Sequence, residues 1–127
     1  QLKTHNPFKV ARALTGSEVQ LSDRCCGESG TLGTARPDIA SQLRFRKSEE
    51  LLKGIRVMTA KERAEESETK LLTSCPACQQ GLAKYTDETG LKTDYIVVEM
   101  ASQLLGDGWQ QRFLDRIAQG GIERVLL

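Results

Sequence analysis

No run of apolar residues in this sequence approaches the roughly 20 that a membrane-spanning helix requires. The opening Gln1-Leu2-Lys3-Thr4 has no apolar segment behind it, so no secretory signal is expected. A chain that opens on Gln1 without a start methionine is expected to be a fragment of a longer protein, and whatever precedes Gln1 is expected to carry part of any shared site. Charge of one sign is not in excess: 18 Lys and Arg stand against 17 Asp and Glu, for a net charge of +1. No basic block is interleaved with aromatics, so nothing recommends nucleic acid as a partner. The densest charge run, Lys61 to Glu68, mixes signs and reads as a solvated face. Internal repeats and low-complexity linkers are missing too, which leaves one domain over residues 1–127. Histidine is reduced to His5, which so near a chain end is more often a solvated surface residue than a ligand.

What is present is enough apolar residue for one modest core, 39% of 127 residues, and four cysteines in two compact motifs. Cys25-Cys26 are adjacent, and Cys75-Pro76-Ala77-Cys78 is a Cys-x-x-Cys. Two disulfides would suit a secreted domain. With no secretion signal, these spacings read instead as metal or redox chemistry in a reducing, cytoplasmic setting.

Periodicity predicts an α/β domain. Pro7 to Leu14 reads as a short helix ended by Gly16, and Glu18 to Ser22 alternates like a strand. Pro37 suits the first position of a long helix, with Ile39, Leu43, Leu51 and Leu52 at helical spacing and Gly54 as its stop. Ile55 to Met58 reads as a short strand, and Ala60 to Glu68 as an exposed helix or mobile insertion. Lys70 to Ser74 is expected to be a buried strand, with a helix from Gln79 towards Gly90. Tyr95 to Val98 gives the clearest strand signal. A helix with Trp109, Phe113, Leu114 and Ile117 on one face follows it, with Asp107 as N-cap and Gly120-Gly121 as its end, and Ile122 to Leu127 reads as a last strand. Alternating strands and helices imply a largely parallel sheet flanked by helices. Its core is expected to draw on Val19, Leu43, Leu71, Ile96, Val98 and Phe113. Each cysteine motif then sits at a strand-to-helix junction, the edge where open α/β sheets place ligands, which favours one shared site.

Three-residue spacing on a first helical turn puts the Cys75 and Cys78 sulfurs on one side, and a helix N-terminus favours the thiolate, which is both ligand and nucleophile. The motif by itself fits zinc, iron–sulfur or thiol–disulfide chemistry. Adjacent cysteines such as Cys25 and Cys26 rarely bridge each other, because a trans peptide resists disulfide geometry. The loop that follows carries Gly27, Gly30 and Gly33, and such a loop can wrap a cluster and offer N–H groups to its sulfides. The pair Asp94/Glu99 suggests no acid–base catalysis, and the sequence offers no catalytic residue.

Asp23-Arg24-Cys25-Cys26-Gly27 followed downstream by Thr73-Ser74-Cys75-Pro76-Ala77-Cys78 resembles the cysteine-rich CCG domain of the heterodisulfide reductases. The same module occurs in the iron–sulfur subunits of glycolate oxidase and anaerobic glycerol-3-phosphate dehydrogenase, in lactate-utilisation proteins and at the C-terminus of FAD-linked oxidases. The resemblance covers nearly the whole chain. It implies that Cys25, Cys26, Cys75 and Cys78 are metal ligands for a non-cubane four-iron, four-sulfur (4Fe-4S) cluster, with the Gly27, Gly30 and Gly33 loop around it. Two departures stand out. The family's single first cysteine has no counterpart; it is expected just upstream of Gln1, or His5-Asn6-Pro7-Phe8 is a decayed form of its motif with Phe8 in the cysteine's place. The 48 residues between Cys26 and Cys75 also exceed the family's usual spacing, and the polar stretch Ala60 to Glu68 would absorb the excess.

The resemblance implies an electron-transfer domain of an oxidoreductase, relaying electrons between a flavin and a further acceptor. FAD would then be bound elsewhere in the same polypeptide or complex, whose flavin domain or subunit is the expected partner. A zinc-stabilised interaction module is the alternative, using Cys25 or Cys26, Cys75, Cys78 and His5 as a Cys₃His set. A third possibility is a thioredoxin-like oxidoreductase acting through Cys75 and Cys78, although Ser74 stands where that family has Trp, and Cys25-Cys26 would be left unexplained.

Overall fold

A computed structural model describes residues 6–28, 30–65 and 68–120. Its elements run α1 (Asn6–Thr15), α2 (Leu32–Ala35), α3 (Pro37–Thr59), β1 (Lys70–Thr73), α4 (Pro76–Ala83), α5 (Thr86–Thr89), β2 (Lys92–Tyr95), α6 (Ile96–Leu105) and α7 (Trp109–Gly120). Helix dominates, around a parallel two-stranded sheet in which Lys70 pairs with Lys92 and Thr73 with Tyr95. The crossover between the strands is α4 followed by α5, so residues 70–95 form a βαβ unit. No described helix is long and apolar enough to cross a membrane.

α3 is the longest element and the fold's spine. Pro37 opens it, Asp38 sits in its first turn near the positive dipole end, and Ala60 closes it in a left-handed conformation at φ +58°. Its buried positions, Ala40, Lys47, Ser48, Leu51 and Ile55, recur at intervals that keep one face inward. Leu51 and Ile55 join Cys26, Ala64, Leu82, Tyr85 and Leu91 in the main core, with Leu52, Leu71 and Cys78 packed against it. A second packing centre lies where α1 meets α6, and α7 packs on α6.

Several expected elements differ. Ile55 to Met58 is the last part of α3, not a strand, because Ile55 lies one turn beyond Leu51 and burial on that face outweighs its β propensity. Gly54 does not stop the helix; a Cβ there would lie 3.3 Å from the Gln20 side-chain oxygen, so this glycine lets the preceding loop pass close by. Glu18 to Ser22 runs without strand pairing, and Gln20, Leu21 and Ser22 face Thr69, Lys70 and Leu71 across a groove that takes the place of a ladder. The β-branched Ile96-Val97-Val98 opens α6, while the strand lies three residues earlier, over Lys92–Tyr95. Residues 60–65 form bends rather than a helix, with Ala64 buried and its N–H bonded to the Thr89 carbonyl at 2.8 Å.

Among the expected core residues Leu71 packs against the main cluster, Val19, Leu43, Ile96 and Val98 are half-buried, and Phe113 is exposed. Trp109 is half-buried, with its indole N–H donating to Ser102 Oγ at 3.0 Å. Asp107 lies two residues before α7 rather than capping it, and its carbonyl accepts from the Arg112 guanidinium. His5 and Ile122 to Leu127 lie outside the described residues.

Candidate functional site

β1 delivers the second motif. After Thr73 the chain turns, Cys75 adopts an extended conformation as the N-cap residue of α4, and Pro76 fills the first helical position. Cys75 is exposed, whereas Cys78, one turn on, faces partly inward. This helix start separates the two thiols electrically. The Cys78 backbone N–H, and after it the Cys78 thiol and the Ala77 N–H, hold the Cys75 thiol below its ordinary range. Burial pushes the Cys78 thiol up to about 12, and its hydrogen bond with Cys26 adds to the rise.

The first motif arrives on an irregular loop, 52 positions earlier, instead of at the end of a strand. Cys26 is buried in the main core and its Sγ lies 3.1 Å from Cys78 Sγ. Cys25 is exposed and its Sγ accepts the Gly27 N–H at 3.4 Å. Gly27 takes φ +78° where the loop passes α3, a conformation that disfavours any side chain. Gly30 also has a positive φ, whereas Gly33 sits in the single turn of α2 beside Arg44. The structure thus brings Cys26 and Cys78 together at the carboxyl end of the sheet, with Cys75 adjoining, and leaves Cys25 outside that contact.

Two ionic arrangements hold the loop on either side of the cysteine pair. Ahead of it, Glu50 accepts from the Asp23 N–H at 2.9 Å, the Arg24 N–H at 3.2 Å and Ser22 Oγ at 2.9 Å. Lys47, 2% exposed, donates to Glu50 at 2.8 Å, to the Arg24 carbonyl at 2.7 Å and to Ser22 Oγ. Behind the pair, the Glu28 carboxylate takes Arg44 from α3 at 3.0 Å and Lys84 from just beyond α4 at 2.9 Å. The Lys84 hydrogen bond is the main cause holding Glu28 below the usual carboxylate range. Glu28 also packs on Gly81, where any Cβ would fall on its side chain. Sequence reasoning missed Arg44, Lys47, Glu50, Glu28 and Lys84. Only the three-residue spacing of the first three along α3 hinted at a common side, and their partners are too distant in sequence to be read.

Soft thiol donors suit iron–sulfur or zinc, and the arrangement can be tested against bond lengths. Two thiolates bound to one tetrahedral zinc at about 2.3 Å lie about 3.8 Å apart, so the Cys26–Cys78 pair must open by less than about 1 Å. Among the described residues no group of three or more His, Cys, Asp and Glu side chains is already arranged around a common metal position. The buried Tyr85 hydroxyl has no partner, and it lies within electrostatic range of Arg44, Glu28 and Cys26.

DUF3400, a domain of unknown function, matches residues 83–127, the part of the chain beyond the cysteines. An uncharacterized iron–sulfur protein of Methanococcus maripaludis is 30% identical over 91 residues, 68% of this chain. The chain spans 16% of that protein's length. No solved structure matches the chain.

Proposed function

We propose that this chain is a CCG-type domain of a larger iron–sulfur oxidoreductase, with Cys25, Cys26, Cys75 and Cys78 as ligands of its cluster. The observation that carries the reading is the meeting of Cys26 and Cys78 across 52 positions, with Cys75 adjoining. The similarity to an iron–sulfur protein supports it. Cys26, Cys78 and Cys75 would hold the group first, with Cys25 turning in from its exposed position. A bound cluster supplies one-electron transfer. The chain's own residues position the thiols and shield Cys26 from water, and a flavin domain of the same protein is the proposed electron partner.

The test is anaerobic reconstitution with iron and sulfide, on this chain and on a polypeptide extended upstream of Gln1. The expected result is a brown, oxygen-sensitive product containing iron and sulfide, strongest in the extended form and lost in Cys75→Ser, since a hydroxyl is a poor ligand for iron. Stoichiometric zinc uptake with rejection of iron and sulfide would replace this reading by a zinc-stabilised module.

The exposed Cys75 at a helix start, with Cys78 buried one turn on, favours a second reading, thiol–disulfide exchange. The Cys75 thiolate would attack a substrate disulfide and release one thiol. Cys78, giving up its proton, would displace the second thiol and leave a Cys75–Cys78 disulfide. Cys78→Ser would then accumulate a Cys75 mixed disulfide with oxidised glutathione.

A further inference from the structure

We infer that Lys47 and Glu50 are positioning residues that hold Cys25-Cys26 against α4 and keep the Cys26 thiol in the site. The inference rests on the cysteine site proposed above, but its main readout needs no cluster.

A lysine that is only 2% exposed is costly unless its three donors are satisfied, and here each has an acceptor: Ser22 Oγ, the Arg24 carbonyl and Glu50 Oε2. Glu50 is satisfied in turn, its Oε1 taking both the Asp23 and Arg24 amides. Apart from the Lys47–Glu50 pair itself, which lies within α3, these bonds go from α3 to the three residues immediately before Cys25. No strand ladder fixes this stretch: residues 18–23 carry no strand pairing, and Gly27 gives the backbone a free hinge directly after the pair. The charged side chains of α3 therefore do what the missing strand would have done. A buried ion pair is a poor source of stability compared with apolar packing, but it fixes geometry, because its hydrogen bonds are satisfied in one arrangement only. Two acidic oxygens and one ammonium are thus committed to locating a backbone that leads straight into the thiols.

The experiment measures site-specific alkylation of the reduced, metal-free chain by iodoacetamide, followed by peptide mass mapping. Cys26 is protected because it is buried, so its rate reports opening of the loop. Glu50→Ala is expected to raise the Cys26 rate about tenfold or more while leaving exposed Cys75 unchanged. Glu50→Gln, which keeps an acceptor for the two amides, restores part of the protection. Ala11→Gly, on α1 away from the loop, serves as control, with wild type and variants brought to equal thermal midpoints by urea; it is expected to leave Cys26 protected. If Glu50→Ala does not fold, Ser22→Ala removes one link of the same network without stranding a charge and is expected to give a smaller rise in the same direction. Cys26 remaining protected in every loop variant, or opening equally in the Ala11→Gly control, overturns the inference. Failure of the wild-type polypeptide extended upstream of Gln1 to take up any cluster overturns the proposed function and leaves the alkylation result standing.

Discussion

Glu50 answers to four donors at once, and its titration shows what they contribute. Burial alone would raise its carboxyl, but the hydrogen bonds from Lys47 and Ser22 and the Arg24 amide outweigh it, so Glu50 stays ionised below the usual carboxylate range. A folded-state value below the unfolded one means that this stabilisation is complete above the unfolded carboxylate pKa of about 4.3 and is lost as pH falls through the lower, folded value. The amides of Asp23 and Arg24 are therefore expected to lose hydrogen-exchange protection as the pH falls below the ordinary carboxylate range, before the βαβ unit unfolds. In Glu50→Gln that acid step should vanish; its persistence would assign it to another carboxylate. The cysteines separate by exposure in the same way. With limiting iodoacetamide, exposed Cys25 and Cys75 should be modified well before Cys26 and Cys78, and equal labelling of all four would contradict the packed geometry.

The helices differ in how well composition announces them. α1, the start of α3 and α7 are visible in the sequence, because Pro37 marks a first turn and the apolar spacing agrees with it. The helix expected from Gln79 towards Gly90 instead starts earlier, at Pro76, and divides into α4 and α5. β1 is legible for a similar reason: a short apolar run closed by the cysteine turn. The misread elements share one cause. Ile55 to Met58 and Ile96 to Val98 are β-branched or apolar clusters whose conformation is set by what they pack against, not by what they are. Ile55 is the clearest case, 2% exposed at the centre of the core, so Ile55→Ala is expected to cost about 2–5 kcal/mol in a urea titration. A cost below about 1 kcal/mol would mean that α3 does not extend past Gly54. The cysteine positions were legible from spacing, but the ionic clamp was not, since Lys47 and Glu50 look like ordinary surface residues until Ser22, Asp23 and Arg24 are laid against them. Gly81 is a quieter instance of the same limit. Its role is to admit Glu28, and Gly81→Ala should destabilise by about 1–3 kcal/mol by forcing that side chain and its loop outward.

At the scale of the whole chain, all four cysteines are free thiols, so nothing covalent holds the fold. Reductant should leave the thermal midpoint of the purified chain unchanged. A fall of many degrees would reveal a structural disulfide, whose loss typically costs about 2–5 kcal/mol. The Cys26–Cys78 meeting has a further consequence for the order of events during synthesis. Cys75 and Cys78 belong to a compact βαβ unit with short connections, and such local contacts form early. Cys26 leaves the ribosome sooner, yet its partner is 52 positions downstream and Lys84, which secures the loop from the far side, comes later still. The cysteine made first is thus the last to reach its place. Until about 60 further residues have emerged, Cys25 and Cys26 are a bare, unclamped pair, open to oxidants and stray metal, at elongation rates that leave such a segment waiting for seconds.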